Sequence, residues 1–113
     1  MERNRAILDQ FSVMEQRIFE LENEMNNSDD EILNELFAIE KKLLLKKLQQ
    51  IQSAVMKLEN VYERRVIWLH YIGEMNNGKR VRLKIWQIAN QMGYSFDWAK
   101  KTNASALKNI KFD

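Results

Sequence analysis

The side chains whose types and spacing could do chemistry lie near the C-terminal end of this chain. Ser95, Phe96, Asp97, Lys100, Lys101 and Ser105 follow one another at intervals of no more than four residues. A helix over 96–111 would therefore carry them along its outward side. Lysines can donate to guanine O6 and N7, a carboxylate can accept from cytosine N4, hydroxyls can do either, and an aromatic edge can meet a thymine methyl. That is the chemistry of reading base edges in the major groove. Seven further cations, Arg64, Arg65, Lys79, Arg80, Arg82, Lys84 and Lys108, are suited to phosphate contacts, which position a protein on a duplex without specifying sequence. A plainer reading stands beside this one: two core helices joined by a glycine turn, with a basic loop that is merely solvated.

Other chemistries find no support, and no enzyme is expected. His70 is the only histidine and there is no cysteine, so a metal site would have to be built from carboxylates. Asp29-Asp30-Glu31 is an acidic cluster that helix capping explains. No phosphate-cradling glycine loop and no activated serine is present, so neither a cofactor nor a metal is expected. Trp68 and Trp86 are expected to be buried by their helical spacing, while Trp98 could be buried or exposed.

The elements that must position the candidate residues can be read from periodicity. Ile85, Ile88, Ala89 and Met92 form one apolar face, with Ala89 small enough for a second helix to cross closely. Gly93 supplies a helix end and Ser95 an N-cap, and the second helix turns Ala99, Thr102, Ala106 and Ile110 inward. Upstream, Asn60 with Glu63 has the form of a capping box, opening a helix that holds Val66, Ile67, Leu69 and Ile72 and breaks at Gly73. Between them, 74–84 is irregular, with an Asn77-Gly78 turn signal and the form of a short hairpin-like loop.

The first half of the chain is an arm. Ile7, Phe11, Met14, Ile18, Leu21 and Met25 make a heptad seam over 4–26. Ser28 with Glu31 forms a second capping-box pattern, so a long helix is expected over 29–58. Its apolar residues fall into two stripes, Ile32, Leu36, Ile39 and Leu43 on one and Leu33, Phe37, Leu44, Leu48, Ile51, Val55 and Leu58 on the other. The favoured geometry is a helical hairpin, with the remaining stripe available for dimerisation; the competing one pairs the first helices of two subunits in a coiled coil. The expected division is an arm over 1–50 and a head over 51–113.

With no proline, three glycines and abundant helix formers, the 113 residues point to an all-α fold. The absence of cysteine suits a reducing cytoplasm, and no signal peptide or apolar run long enough to span a membrane is evident. The net charge of +2 conceals an asymmetry. Through Glu40 there are three arginines against eleven acids, and from Lys41 onward fifteen cations against five acids. The part that carries the candidate reading helix is the part that could meet a polyanion.

The segment 51–110 resembles the C-terminal promoter-reading domain of bacterial sigma factors. The likeness rests on Leu58, on Tyr62-Glu63-Arg64-Arg65 leading into an apolar helix that ends at Tyr71-Ile72, on Trp86-Gln87-Ile88-Ala89 followed by Met92-Gly93-Tyr94-Ser95, and on Ala106-Leu107. With the arm, the whole is similar to phage late-gene activators of the ArpU/RinA type. The resemblance implies a sigma-like helix-turn-helix with double-stranded DNA as partner; bacterial RNA polymerase is a further candidate partner. Two features depart from the family: the connection over 75–84 is longer, and Phe96 and Trp98 stand where polar or basic residues are usual. These two aromatics could meet thymine methyls, pack beneath the arm or be covered by a partner protein. An adaptor that binds polymerase or another regulator without reading DNA is the alternative function.

Overall fold

In the computed structural model, which describes residues 2–112, the heptad seam becomes helix α1 (Glu2–Asn26), folded back as a hairpin on α2 (Glu31–Met56). Leu8, Phe11, Ile18 and Leu21 are the buried positions of α1. From α2, the buried positions are Leu48, Ile51 and Val55, all in its second half. The chain between the helices is capped differently from the capping-box expectation. Asp30, not Ser28, is the N-cap, its Oδ1 accepting from the Leu33 N–H at 3.1 Å, while Ser28 Oγ accepts from the Asp30 N–H at 3.2 Å. A carboxylate two residues further along offers the stronger, charge-assisted acceptor to the free N–H groups, so it takes the capping position.

Ion pairs fasten the hairpin at its outer half. Arg17 makes a two-pronged contact with Glu40, at 3.2 and 3.0 Å, and Lys41 reaches Glu22 at 3.3 Å. The two pairs run in opposite senses, a cation of α1 with an acid of α2 and an acid of α1 with a cation of α2, at partly exposed sites where such pairs contribute modestly.

The long helix ends at Met56, and Asn60 caps α3 (Val61–Ile67) by accepting from the Tyr62 and Glu63 N–H groups. α3 runs directly into a π-helical turn, Trp68–Ile72, closed by the Gly73 N–H donating to the Trp68 carbonyl at 2.7 Å. Strands β1 (Glu74–Asn76) and β2 (Lys79–Val81) follow as a two-stranded antiparallel hairpin, with Glu74 opposite Val81 and Asn76 opposite Lys79. Its two-residue turn has Asn77 and Gly78 both at positive φ, 53° and 80°, which is what a tight hairpin of matching twist requires. The hairpin-like loop read from the sequence is therefore a real, if very short, sheet in an otherwise helical molecule.

α4 (Ile85–Met92) and α5 (Phe96–Asn109) complete the chain, giving an all-α fold with a helical arm. Two hydrophobic clusters hold it. One joins arm and head: Phe11 and Ile18 pack with Val55 and Leu58 of the second helix, with Ile67 and Ile72, and with Ala106, Leu107 and Ile110. The other lies within the head and gathers Val66, Leu69 and Ile88 with Leu83, Met92 and Trp98 around them. Polar contacts close the same seam. Asn4 at the start of α1 donates from Nδ2 to the carbonyls of Leu107 and Ile110, at 2.8 and 3.0 Å, satisfying acceptors at the end of α5 that have no helical partner. Among the described residues no helix is long and apolar enough to cross a membrane.

Candidate nucleic-acid interface

The candidate reading helix is presented by a three-residue turn. Gly93 takes the left-handed conformation (φ 76°, ψ 25°), and the Tyr94 N–H donates back to the Ala89 carbonyl at 3.0 Å, closing α4. Ser95 then caps α5, its Oγ accepting from the Trp98 N–H at 3.0 Å. α4 and α5 pack on one another, and Ala89 and Ala99, one small residue on each, are both buried. The inward side of α5 is Ala99, Ala106 and Leu107, with Ile110 just beyond its end; Thr102 is only partly buried. The helix stops at Asn109, two residues short of the expected end, because Ile110 turns to extended backbone (φ −67°, ψ 138°) to enter the core.

The outward side carries Phe96, Asp97, Lys100, Lys101, Ser105 and Lys108, all exposed, as is Ser95. Lys101 is paired with Asp97 at 3.0 Å, one turn earlier, with both side chains more than two-thirds exposed. So open a pair is easily exchanged for another partner. Lys100 lies with its Nζ 5.5 Å above the Phe96 ring. Ser95 accepts at its cap, which leaves the hydroxyl proton free to donate. Ser105 is directed elsewhere: its Oγ donates to Glu63 Oε2 at 3.3 Å, toward α3 rather than away from the molecule.

The seven cations assigned to phosphates divide into two groups. Arg80 donates to Glu15 of α1 at 3.1 Å and to the Gly73 carbonyl at 3.2 Å, and its guanidinium lies 5.5 Å above the Phe11 ring. Arg82 donates to the Tyr71 carbonyl at 3.0 Å and approaches the same Glu15 at 3.7 Å. Arg65 is paired with Glu74, and Arg64 donates to the Leu58 carbonyl at 3.2 Å. These four arginines thus serve the fold, whatever else they touch. Lys79, Lys84 and Lys108 are exposed and form no ion pair among the described residues. Lys100 and Lys101 of α5 are exposed as well, as are Lys57 and Lys111 elsewhere in the head.

Three residues that organise this surface, Glu63, Glu15 and Tyr62, were not among the candidate contact residues. Glu63 is the one buried charged side chain among the described residues, and it accepts from Asn109 Nδ2 at 3.0 Å as well as from Ser105. Its side chain does not turn back on Asn60 as a capping box would have it. The pairing ties the first turn of α3 to the last turn of α5. Its position three and four residues before the buried Val66 and Ile67 was a signal, since it puts a carboxylate on the apolar face. Glu15 lay beside the heptad seam and had no such signal. Tyr62 edges against both Tyr94 and Trp98, with centroids 5.8 Å apart in each case, while Tyr94 stacks on Trp98 at 4.0 Å. The neighbouring Tyr62 hydroxyl holds the Tyr94 phenol above its ordinary pKa.

Of the three placements open to the aromatics, Trp98 takes a fourth, packing into the core of the head, and Phe96 is exposed beside Lys100. Trp86 corrects an expectation of burial: it is 51% exposed. With only eight residues, α4 has one inward stripe, which Ile85, Ile88, Ala89 and Met92 fill, and Trp86 falls on its flank. His70 Nδ1 lies 2.8 Å from the Leu83 carbonyl, a role in holding the chain between β2 and α4. Among the described residues no group of three potential metal ligands comes together. No known protein family, curated protein or solved structure matches the chain.

Proposed function

We propose that this chain is a sequence-specific double-stranded DNA-binding transcription regulator of the phage late-gene activator kind, phage or prophage encoded, acting in the cytoplasm of a bacterial host. The observation that supports this reading most directly is the outward face of α5. A capped helix enters from a left-handed glycine turn with Lys100 and Lys101 exposed one turn in and Lys108 exposed in its last turn. The N-terminal residues of a second helix presented in this way are the ones that reach base edges in helix-turn-helix proteins. Lys100, Lys101, Asp97, Phe96 and Ser95 would contact bases, while Lys79, Lys84 and Lys108 would meet phosphates.

The test is footprinting on sites selected from random duplexes. Lys100→Ala/Lys101→Ala should abolish site-specific protection with helicity unchanged, because both side chains lie outside the core. Binding should weaken with salt at a log–log slope of about −3 if the three lysines assigned to phosphates each neutralise one. Specific protection that survives the double substitution would remove α5 from the reading role.

A second reading is supported by one observation, the apolar rings on this face. Phe96 and Trp86 are each about half exposed, as are Tyr62 and Tyr94 of the Tyr62–Tyr94–Trp98 cluster, and aromatic residues are enriched at protein interfaces. On this reading the head binds RNA polymerase or another regulator. Duplex DNA would then be bound at no salt concentration, and Phe96→Ala would release the protein partner.

A further inference from the structure

The outer half of α2 carries an apolar seam with nothing on it. Ile32, Leu36, Ile39 and Leu43 are 73%, 58%, 58% and 57% exposed, at spacings of four, three and four. That is the a/d pattern of a coiled coil sustained over two repeats, on a helix whose other side is already taken by α1. On a cylinder with 3.6 residues per turn this stripe is centred roughly 130° from the line of Phe37, Leu44, Leu48 and Val55. It therefore faces away from the hairpin. Single exposed leucines need no explanation, but a continuous heptad row does.

Charge along the same helix identifies what covers it. Glu31, Glu35 and Glu40 lie toward its start, Lys41, Lys42, Lys46 and Lys47 toward the middle. Such a polar helix is complementary to itself when reversed. We infer that the seam is the interface with a second copy of this chain, the two α2 helices running antiparallel with Leu36 of each beside Ile39 of the other, and Ile32 beside Leu43. In that register Glu35 of each copy faces Lys42 of the other. The parallel alternative sets Glu35 against Glu40 and Lys42 against Lys47, like against like at every flanking position. Glu40 is moreover already held by Arg17 of its own chain.

This inference does not depend on what the head binds. It places the two heads at opposite ends of the pair. The axis passes between residues 37 and 38, so the ends of the two α2 helices are roughly 55 Å apart at 1.5 Å per residue.

Sedimentation equilibrium over a concentration series tests it on the whole chain. The expected mass is twice 13.6 kDa. Leu36→Glu/Leu43→Glu should return the chain to the monomer mass with unchanged far-UV helicity. Glu35→Lys, a surface change that spares folding, should weaken self-association roughly tenfold, and adding Lys42→Glu should restore it. In a parallel pair Glu35→Lys would strengthen association instead, since it would face Glu40. Orientation is read by spin labels on Gln50→Cys in this cysteine-free chain: about 38 Å between labels along the axis if antiparallel, about 10 Å if parallel. A monomer mass throughout, a dimer indifferent to the two leucines, tightening by Glu35→Lys, or the short label distance would each overturn the proposal.

Discussion

Gly73 and Gly93 both have positive φ, 85° and 76°, yet they should respond to alanine very differently. At Gly73 the backbone (φ 85°, ψ 154°) lies in a region that only glycine enters readily. A Cβ there would sit 2.6 Å from the Val81 carbonyl oxygen and 2.9 Å from its carbon, both backbone atoms of β2. Backbone cannot rotate aside as a side chain can. The conformational cost is about 1–3 kcal/mol and the steric cost about the same, so Gly73→Ala should lose about 3–5 kcal/mol. Swinging the hairpin outward offers no cheap relief, because Arg80 would then lose the Gly73 carbonyl and Glu15 together. At Gly93 a Cβ meets nothing within 4 Å, and the conformation is ordinary left-handed helix. Gly93→Ala should cost about 1 kcal/mol, partly offset by the reduced freedom of the unfolded chain, and Gly93→Asn less still. Against a total stability on the order of 5–15 kcal/mol the first change is severe and the second minor. Urea unfolding followed by tryptophan fluorescence and far-UV circular dichroism measures both. A gap below about 1 kcal/mol between the two alanine variants would refute the close approach of Gly73 to β2.

Removing the amide of Asn109 leaves the buried Glu63 carboxylate with Ser105 as its remaining side-chain donor, so Asn109→Ala should destabilise by about 2 kcal/mol. Ser105→Ala should cost less, its bond being longer, and a loss under about 0.5 kcal/mol for Asn109→Ala would mean that the carboxylate is held some other way. The Tyr94 phenol is raised above its ordinary value of 10.0 chiefly by the Tyr62 hydroxyl, so Tyr62→Phe should bring its ultraviolet titration back down. The sign for stability follows: a raised folded-state value means that the folded form holds the proton longer, so the contribution is complete below about pH 10 and is lost as pH rises above it. An unmoved Tyr94 titration in Tyr62→Phe would show that the pair is not coupled.

Features governed by local rules were legible in the sequence. The Asn60 cap, the Asn77-Gly78 turn, the Gly93–Ser95 junction and the heptad seam each depend on neighbours within a turn or two. Less visible were the contacts between residues far apart in the chain. Glu15 meets Arg80 and Arg82, and Glu63 meets Asn109, because the arm folds over the head and α5 crosses α3, neither of which leaves a periodic trace. Reading a row of arginines as free cations therefore counts groups that the fold engages. The π-helical turn at Trp68–Ile72 was also hidden, since its hydrogen bond is set by where Gly73 must stop. On α5, the lysines were readable as exposed because they fall off the Ala99–Ala106–Ile110 stripe that the helix turns inward.

The amide of Asn4 grips carbonyls more than a hundred positions further along, at Leu107 and Ile110. During synthesis, the opening helix leaves the ribosome long before its anchor has been made. Until then the arm's inner side, Phe11 included, lacks its final cover, and closure of this seam is among the last events of folding. Nascent chains halted short of Leu107 would be the form most exposed to proteases and chaperones.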